Sequence, residues 1–342
     1  MIHQDRIIII AEAGVNHNGD YDRAVAMIHA AKEAGADYVK FQTAVPELVI
    51  SSIAPKAQYQ KETTGEAESQ LEMCRKIHLR LEDYPSIAAI CRETGIGFMS
   101  TPFDLKSIDC LAPLGMDYWK IPSGEITNLP YLRKIAGFKG HIILSTGMCE
   151  IEEVEQALQV LEQNGTQREN VALLHCTTQY PTAMEDVNLR AMFQLARLNP
   201  GCVGYSDHTV GIEVPVAAAA LGARVIEKHF TLDKTLPGPD HRASLDPAEL
   251  KEMVTAIRNI EKALGNGIKR VTEAERPNIE VARKSIIAAR DIAKGEILTE
   301  ENLTVKRPGN GISPMHWDEV VGTKACRDFA YDSLITLPDE EA

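Results

Sequence analysis

Basic residues are in the minority: 36 lysines and arginines face 49 aspartates and glutamates, a formal net charge of −13. That balance excludes a general nucleic-acid binder, whose affinity rests on a basic footprint over the phosphates. Long apolar runs are also missing, and none approaches the ~20 residues that cross a bilayer. No basic segment followed by a long apolar stretch and a small-residue cleavage site opens the chain, so no secretory leader is expected. The cysteines number seven, odd and without a C-x-x-C pair, which argues for reduced thiols in a cytoplasmic protein, mostly core filler. No G-x-G-x-x-G follows a strand to mark a dinucleotide domain. What remains, 44% hydrophobic and 25% charged over 342 residues, is ordinary for a globular chain of one large domain and one small one.

The most informative stretch is 203–231. Two short apolar runs, each ending abruptly in polar residues, flank a small, apolar, helix-compatible segment at 214–221. A strand, a helix and a strand at this spacing make the two strands parallel neighbours. Their carboxyl ends then lie side by side, and each carries a histidine, His208 and His229. Two neutral imidazoles converging on one point suit a borderline divalent cation with open coordination positions. Two unrelated rim histidines are the alternative.

The same beat recurs along the chain. Strands are expected at 7–11, 38–43, 96–101, 116–121, 141–145, 171–175 and the two histidine strands, with helices between them, among them 151–164 and 247–264. Asp20 is placed to cap the first helix. The strands are continuous apolar runs, as when both faces are buried. Eight such units over about 260 residues predict a (β/α)₈ barrel, an α/β fold, with a doubly wound open sheet as the alternative. A polar insertion at 44–80, helix-rich near 66–76, leaves one strand end. Such excursions are usually functional. We place the barrel at 1–270, a charged, turn-prone linker at 271–284, and a small β-rich module of short strands at 285–342.

In a barrel all strand ends point to one mouth. Glu12, Lys40, Gln42, Thr101, Lys120, Ser123, Glu125, Ser145, Ser206, His208 and His229 are expected to ring it. The lysines and hydroxyls form an anion-binding set. Buried lysines are costly unless an anion or carboxylate meets them, so internal ion pairs with Glu12 and Glu125 stand beside the ligand reading. Glu12 and Glu125 are acid/base or hydroxyl-orienting candidates. Glu227 shares a face with His229 and is read as a metal partner or a salt bridge. His17 and His175 read as structural histidines and Cys176 as a packed thiol. Asp240 lies in a loop after the eighth strand that is placed to close over the mouth.

With these motifs in view, the sequence resembles the bacterial sialic acid (N-acetylneuraminate) synthases. The resemblance runs through 12–19, 40–43, 100–103, 120–125, 144–148, 205–209, 227–231 and 306–311 in order. It implies a barrel followed by an antifreeze-like (SAF) domain, in a homodimer with swapped domains. It implies condensation of phosphoenolpyruvate with N-acetylmannosamine and water, releasing phosphate. His208 and His229 would hold Mn²⁺, with Mg²⁺ or Co²⁺ as alternatives. Lys40, Thr101, Lys120, Ser123, Ser145 and Ser206 would hold phosphoenolpyruvate, joined by Thr178 where some relatives have asparagine. Glu12, Gln42, Glu125, Tyr180 and Asp240 would face the sugar, and Arg307 would reach the partner's barrel to grip the N-acetyl group. Glu12 or metal-bound water would handle protons.

Three other readings compete. A sibling enzyme would take a 2,4-diacetamido-trideoxyhexose and give N,N'-diacetyllegionaminate or pseudaminate. A sugar-phosphate synthase would need a further phosphate-binding set, which the sequence lacks. An ice-binding module would need a regular threonine face, and 285–342 offers only Thr299, Thr304, Thr323 and Thr336.

Overall fold

The computed structural model describes residues 6–65, 68–199 and 201–338. It separates into two compact units, Met1–Gly265 and Asn266–Ala342.

The first unit is built on eight parallel strands: β1 Ile8–Gly14, β2 Tyr38–Thr43, β3 Gly97–Pro102, β4 Tyr118–Ile121, β5 His141–Ser145, β6 Val171–His175, β7 Cys202–Asp207 and β8 Val225–His229. Their hydrogen-bonded order is β3-β2-β1-β8-β7-β6-β5-β4, with β3 and β4 packed together at the seam. The first strand therefore pairs with the last, and the sheet curls into the expected barrel rather than an open sheet. Helices alternate with the strands. Asp20 caps Tyr21–Ala34 by accepting a hydrogen bond from the Arg23 amide at 3.0 Å.

The two-residue period of each strand divides the core into two shells. Ile8, Ile10, Met99, Tyr118, Ile143, Ala172, Leu174 and Val225 fill the barrel interior. Ile9, Ala11, Val39, Phe41, Leu173, Tyr205 and Ile226 point outward into the layer shared with the helices. The polar strand ends sit in the same register. Glu12 pairs across with Lys40 on β2 and with His229 on β8, Gln42 with Thr101, and Ser206 with Glu227.

Among its described residues the insertion carries three short helices, Pro46–Val49, Gln58–Thr64 and Gln70–Ile77. The last begins later than position 66, and residues 66 and 67 lie outside the described part. Its start is fixed by a reciprocal cap. The Glu72 amide donates to Ser69 Oγ at 3.2 Å and the Ser69 amide donates to Glu72 Oε2 at 2.8 Å.

The second unit departs from expectation at two places. The linker contains a helix, Arg276–Ala282, where only turns are expected. Among the described residues the module has one antiparallel pair, β9 Ser285–Ala288 with β10 Leu303–Lys306. The runs at 295–298 and 334–337 contribute single bridges at Ile297 and Leu334 instead of strands. A core of Ile286, Ile292, Leu298, Val320, Phe329 and Ile335 holds it together. Residues 339–342 of the expected module lie outside the described part. Among the described residues no helix is long and apolar enough to cross a membrane.

On the helix side of β7 and β8 lies a fully buried ion pair, Asp207 with Lys228, whose ammonium also donates to the Thr209 carbonyl at 2.5 Å. Removing one partner strands the other charge in the interior. Asp207→Ala is expected to lower the unfolding free energy by about 3–5 kcal/mol. The double change Asp207→Leu/Lys228→Met should recover most of it. Denaturant unfolding checks this, and a loss below about 1 kcal/mol in the single variant would contradict the pairing.

Candidate active site

A cavity of about 390 Å³ opens at the carboxyl ends of the barrel strands. That size suits a small ligand or a pair of them. Its floor is a ring of charge. Lys40 Nζ lies 2.7 Å from Glu12 Oε2, donates to Thr101 Oγ1 at 2.8 Å, and stands 3.6 Å from Glu227 Oε2. Across the floor, Lys120 Nζ lies 3.5 Å from Glu227 Oε1 and donates to Ser145 Oγ at 2.7 Å. Ser206 Oγ donates to the same Glu227 oxygen at 3.0 Å. One carboxylate thus sits between two ammonium groups, all of them buried.

The ion-pair reading of the lysines is half right. Glu12 is the partner of Lys40, but Glu227 takes the place expected for Glu125. Glu125 is absent from the cavity lining. It is the last residue of the 3₁₀ turn Ser123–Glu125, and its carboxylate accepts a hydrogen bond from Asn128 Nδ2 at 2.5 Å, three residues along. Its expected sugar contact therefore has no support here.

Burial divides the two carboxylates. It raises Glu12 to about 7, with the charge of Glu227 adding to the shift and Lys40 opposing it. Burial pushes Glu227 up as well, but Lys120 and Lys40 together outweigh it and hold that carboxyl down to about 2. Burial lowers Lys120, only partly offset by Glu227. Lys40 is lowered by burial too, yet Glu12 and Glu227 carry it above its ordinary value. The floor sets two lysines against one firmly ionised carboxylate and one that titrates near neutrality. That is a surplus fitted to an anion.

The histidines meet above this floor, with ring centroids 5.6 Å apart. Burial lowers the pKa of both, and His208 and Lys40 depress His229 further, so both rings are neutral at pH 7. His208 Nδ1 lies 2.6 Å from the Thr177 carbonyl, which assigns the proton to that nitrogen and leaves Nε2 with its lone pair. His229 Nδ1 is buried with no hydrogen-bond partner. This donor set fits a divalent cation. Among the described residues no group of three or more His, Cys, Asp or Glu is arranged to hold one, so the two imidazoles would be the protein's share and water or substrate would supply the remaining ligands.

Two glycines keep the site open. Gly14 has φ +53° beside an irregularity in the β1–β2 register, and a Cβ there would stand 3.3–3.4 Å from His229, Gln42 and Glu12. A Cβ on Gly147 would come within 2.7 Å of Thr178 and 3.0 Å of Ser123 Oγ, the atom that accepts the Gly147 amide at 2.9 Å.

Of the expected site residues, Glu12, Lys40, Gln42, Thr101, Lys120, Ser123, Ser145, Thr178, Tyr180, Ser206, His208, His229 and Asp240 all line this one cavity. Gln42 Nε2 donates to Glu12 Oε1 at 3.1 Å, and the Tyr180 ring lies 4.1 Å from that of His208, centre to centre. Burial raises Asp240 to about 6. Arg307 belongs to the second unit, where it is exposed and its Nε donates to the Ala282 carbonyl at 3.1 Å. His175 is structural, with Nε2 2.9 Å from the Val187 carbonyl. The sequence did not single out the insertion's contribution, Gln60, Met73, Cys74, Ile77 and His78, all of which line the cavity. The i, i+1, i+4 apolar spacing of Met73, Cys74 and Ile77 after a capping box was the available signal.

A closed parallel barrel whose strand ends gather lysines, carboxylates, hydroxyls and paired imidazoles in one cavity is the frame of an enzyme. The model of the NeuB family matches residues 27–269, and that of the SAF domain matches 283–339. The N,N'-diacetyllegionaminic acid synthase of Campylobacter jejuni is 53% identical over 96% of this chain and 99% of its own length. The enzyme of the same name from Legionella pneumophila is 48% identical over 98% and 94%. Among solved structures, an N-acetylneuraminic acid (sialic acid) synthetase from Leptospira borgpetersenii superposes with a TM-score of 0.70 at 33% identity, covering 80% of this chain and 90% of that one. The chain belongs to the NeuB family and is an enzyme of the sialic acid synthase type.

The split between the carboxylates has a thermodynamic consequence. Glu12, raised from 4.5 to about 7, contributes stability that is present below 4.5 and lost as pH climbs through 7. Unfolding free energy is therefore expected to fall across that window. Glu12→Gln should flatten the decline in denaturant melts between about pH 4 and 8. An unchanged slope in the variant would contradict the assignment.

Proposed function

We propose that this enzyme is an N,N'-diacetyllegionaminate synthase, condensing phosphoenolpyruvate with a 2,4-diacetamido-trideoxyhexose and releasing phosphate. The observation that carries the reaction class is the lysine floor: Lys40 and Lys120 bridged by Glu227 beneath two neutral imidazoles. The acceptor is read from the relatives. Synthases named for diacetyllegionaminic acid are 53% and 48% identical to this chain, against 33% for the neuraminic acid synthetase. The sequence reading put N-acetylmannosamine first and the diacetamido sugar second, and these identities reverse that order.

In this reading Lys40, Lys120, Thr101, Ser123, Ser145, Thr178 and Ser206 bind the phosphate and carboxylate of phosphoenolpyruvate. Fixed charges and hydroxyl donors offset the anion and orient its enol carbon toward the acceptor. Gln42, Tyr180 and Asp240 position the sugar. Carbon–carbon bond formation at the sugar aldehyde leaves cationic character at the former enol carbon. Water adds there, and the resulting tetrahedral carbon expels phosphate by C–O cleavage. Glu12, titrating near neutrality, is suited to take the proton from that water or to protonate the aldehyde oxygen as it becomes the new hydroxyl. His208 and His229 would hold a divalent ion, Mn²⁺ first, which polarises a carbonyl when bound. The exposed Arg307 acts in the barrel of a partner chain in a homodimer with swapped second units.

A coupled phosphate-release assay over a panel of acetamido sugars tests the acceptor. Turnover is expected with the diacetamido-trideoxyhexose in preference to N-acetylmannosamine, and the reverse preference would restore the neuraminate reading. Lys120→Met should raise the KM for phosphoenolpyruvate by about 10- to 100-fold, the loss of one charged hydrogen-bond donor, with little change in the sugar KM. Equal losses for both substrates would remove it from the anion site. Mixing Arg307→Ala chains with His229→Ala chains should restore part of the activity that each lacks alone. No restoration contradicts the shared site.

A further inference from the structure

The cavity has two unlike walls. The strand ends supply charge and hydroxyls, whereas the helix Gln70–Ile77 supplies apolar surface. Met73, Cys74 and Ile77 are buried, at 2%, 9% and 9% exposure, and all line the cavity. None of them belongs to either hydrophobic cluster of the barrel. Their burial therefore does not serve the barrel core; it forms an apolar face on the cavity. This face neighbours Asp240, read above as a sugar-positioning residue. Pro239 and Asp240 line the same cavity, and Asp240 adds to the burial that pushes the Cys74 thiol up to about 11. The helix is held in place by its cap at Ser69, by the Thr64 hydroxyl on the Met73 sulfur at 3.4 Å, and by His78 Nδ1 3.0 Å from the Cys74 carbonyl.

We propose that Met73, Cys74 and Ile77 set the enzyme's acceptor preference, by packing against the methyl-bearing groups that distinguish a diacetamido-trideoxyhexose from N-acetylmannosamine. The inference rests on the acceptor reading given above. The two sugars differ at two carbons. A methyl replaces a hydroxymethyl at C6, and an acetamido replaces a hydroxyl at C4. Each change removes a hydroxyl and offers a methyl. Against an apolar wall the methyl gains contact, while the hydroxyl loses water and finds no partner. An apolar pocket discriminates against such hydroxyls by roughly 10- to 200-fold, a moderate and tunable preference.

The test compares kcat/KM for the two sugars in the wild type and in Met73→Gln, Ile77→Thr and Cys74→Ser, polar replacements of which the first and last are near-isosteric and the second also removes one methyl. The wild type is expected to favour the diacetamido sugar. Each variant should narrow that ratio, by about tenfold for Met73→Gln and Ile77→Thr. The loss should fall on the diacetamido sugar, with the KM for phosphoenolpyruvate unchanged. Cys74→Ser changes volume least, so the test survives if a larger change fails to fold. A wild type that favours the diacetamido sugar, with ratios held within about twofold in every folded variant, overturns the role of this wall alone. A wild type that turns over N-acetylmannosamine and not the diacetamido sugar overturns the acceptor reading, and this inference with it.

Discussion

Two ammonium groups and the single carboxylate between them govern the first unit's chemistry. Glu227 reaches Lys120 with one oxygen and Lys40 with the other, at 3.5 and 3.6 Å. A buried lysine is tolerated only when its charge is met. One carboxylate cannot neutralise two lysines, and Glu12, the second candidate, is itself held near protonation by burial. The residual positive charge is a standing cost in the free enzyme, relieved when an anion arrives. On the proposed reading, the same imbalance that makes the floor expensive favours an anion there over a neutral sugar.

Around that floor the barrel solves a placement problem. The strand period puts Glu12, Lys40, Thr101, Lys120, Ser145, Ser206 and Glu227 toward the cavity, and the intervening residues face the helices. The outward-facing Asp207–Lys228 pair ties β7 to β8 directly behind the two histidines. The insertion then adds a different chemistry, an apolar wall from Met73, Cys74 and Ile77. On the proposed reading, anion, cation and acceptor would each meet a separate surface of one cavity of about 390 Å³.

Much of this was legible in the sequence. Continuous apolar runs ending in polar residues marked strands buried on both faces, and eight repeats marked the barrel. The convergence of His208 and His229 followed from the short crossover between them. Less was legible where the answer depends on which strand ends face each other. Glu227 reads as a histidine's neighbour along β8, and only the closed ring brings β2 and β4 to it. Glu125 follows a strand end as convincingly as Glu12 does, but the 3₁₀ turn at Ser123 carries its side chain to Asn128. The linker helix Arg276–Ala282 was hidden by its charged, proline-containing composition, although proline near a helix start is well tolerated. The acceptor remained open because the helical spacing of Met73, Cys74 and Ile77 marks an apolar face but not that this face turns to the cavity.

The central claim is that one anion is gripped by both floor lysines. The most direct measurement is a crystal structure of the enzyme with phosphoenolpyruvate bound. The account predicts Lys40 Nζ and Lys120 Nζ both within about 3 Å of oxygens of the same molecule, beneath His208 and His229. Phosphoenolpyruvate bound with either lysine still paired only to Glu12 or Glu227, or bound outside the ring of strand ends, would contradict it.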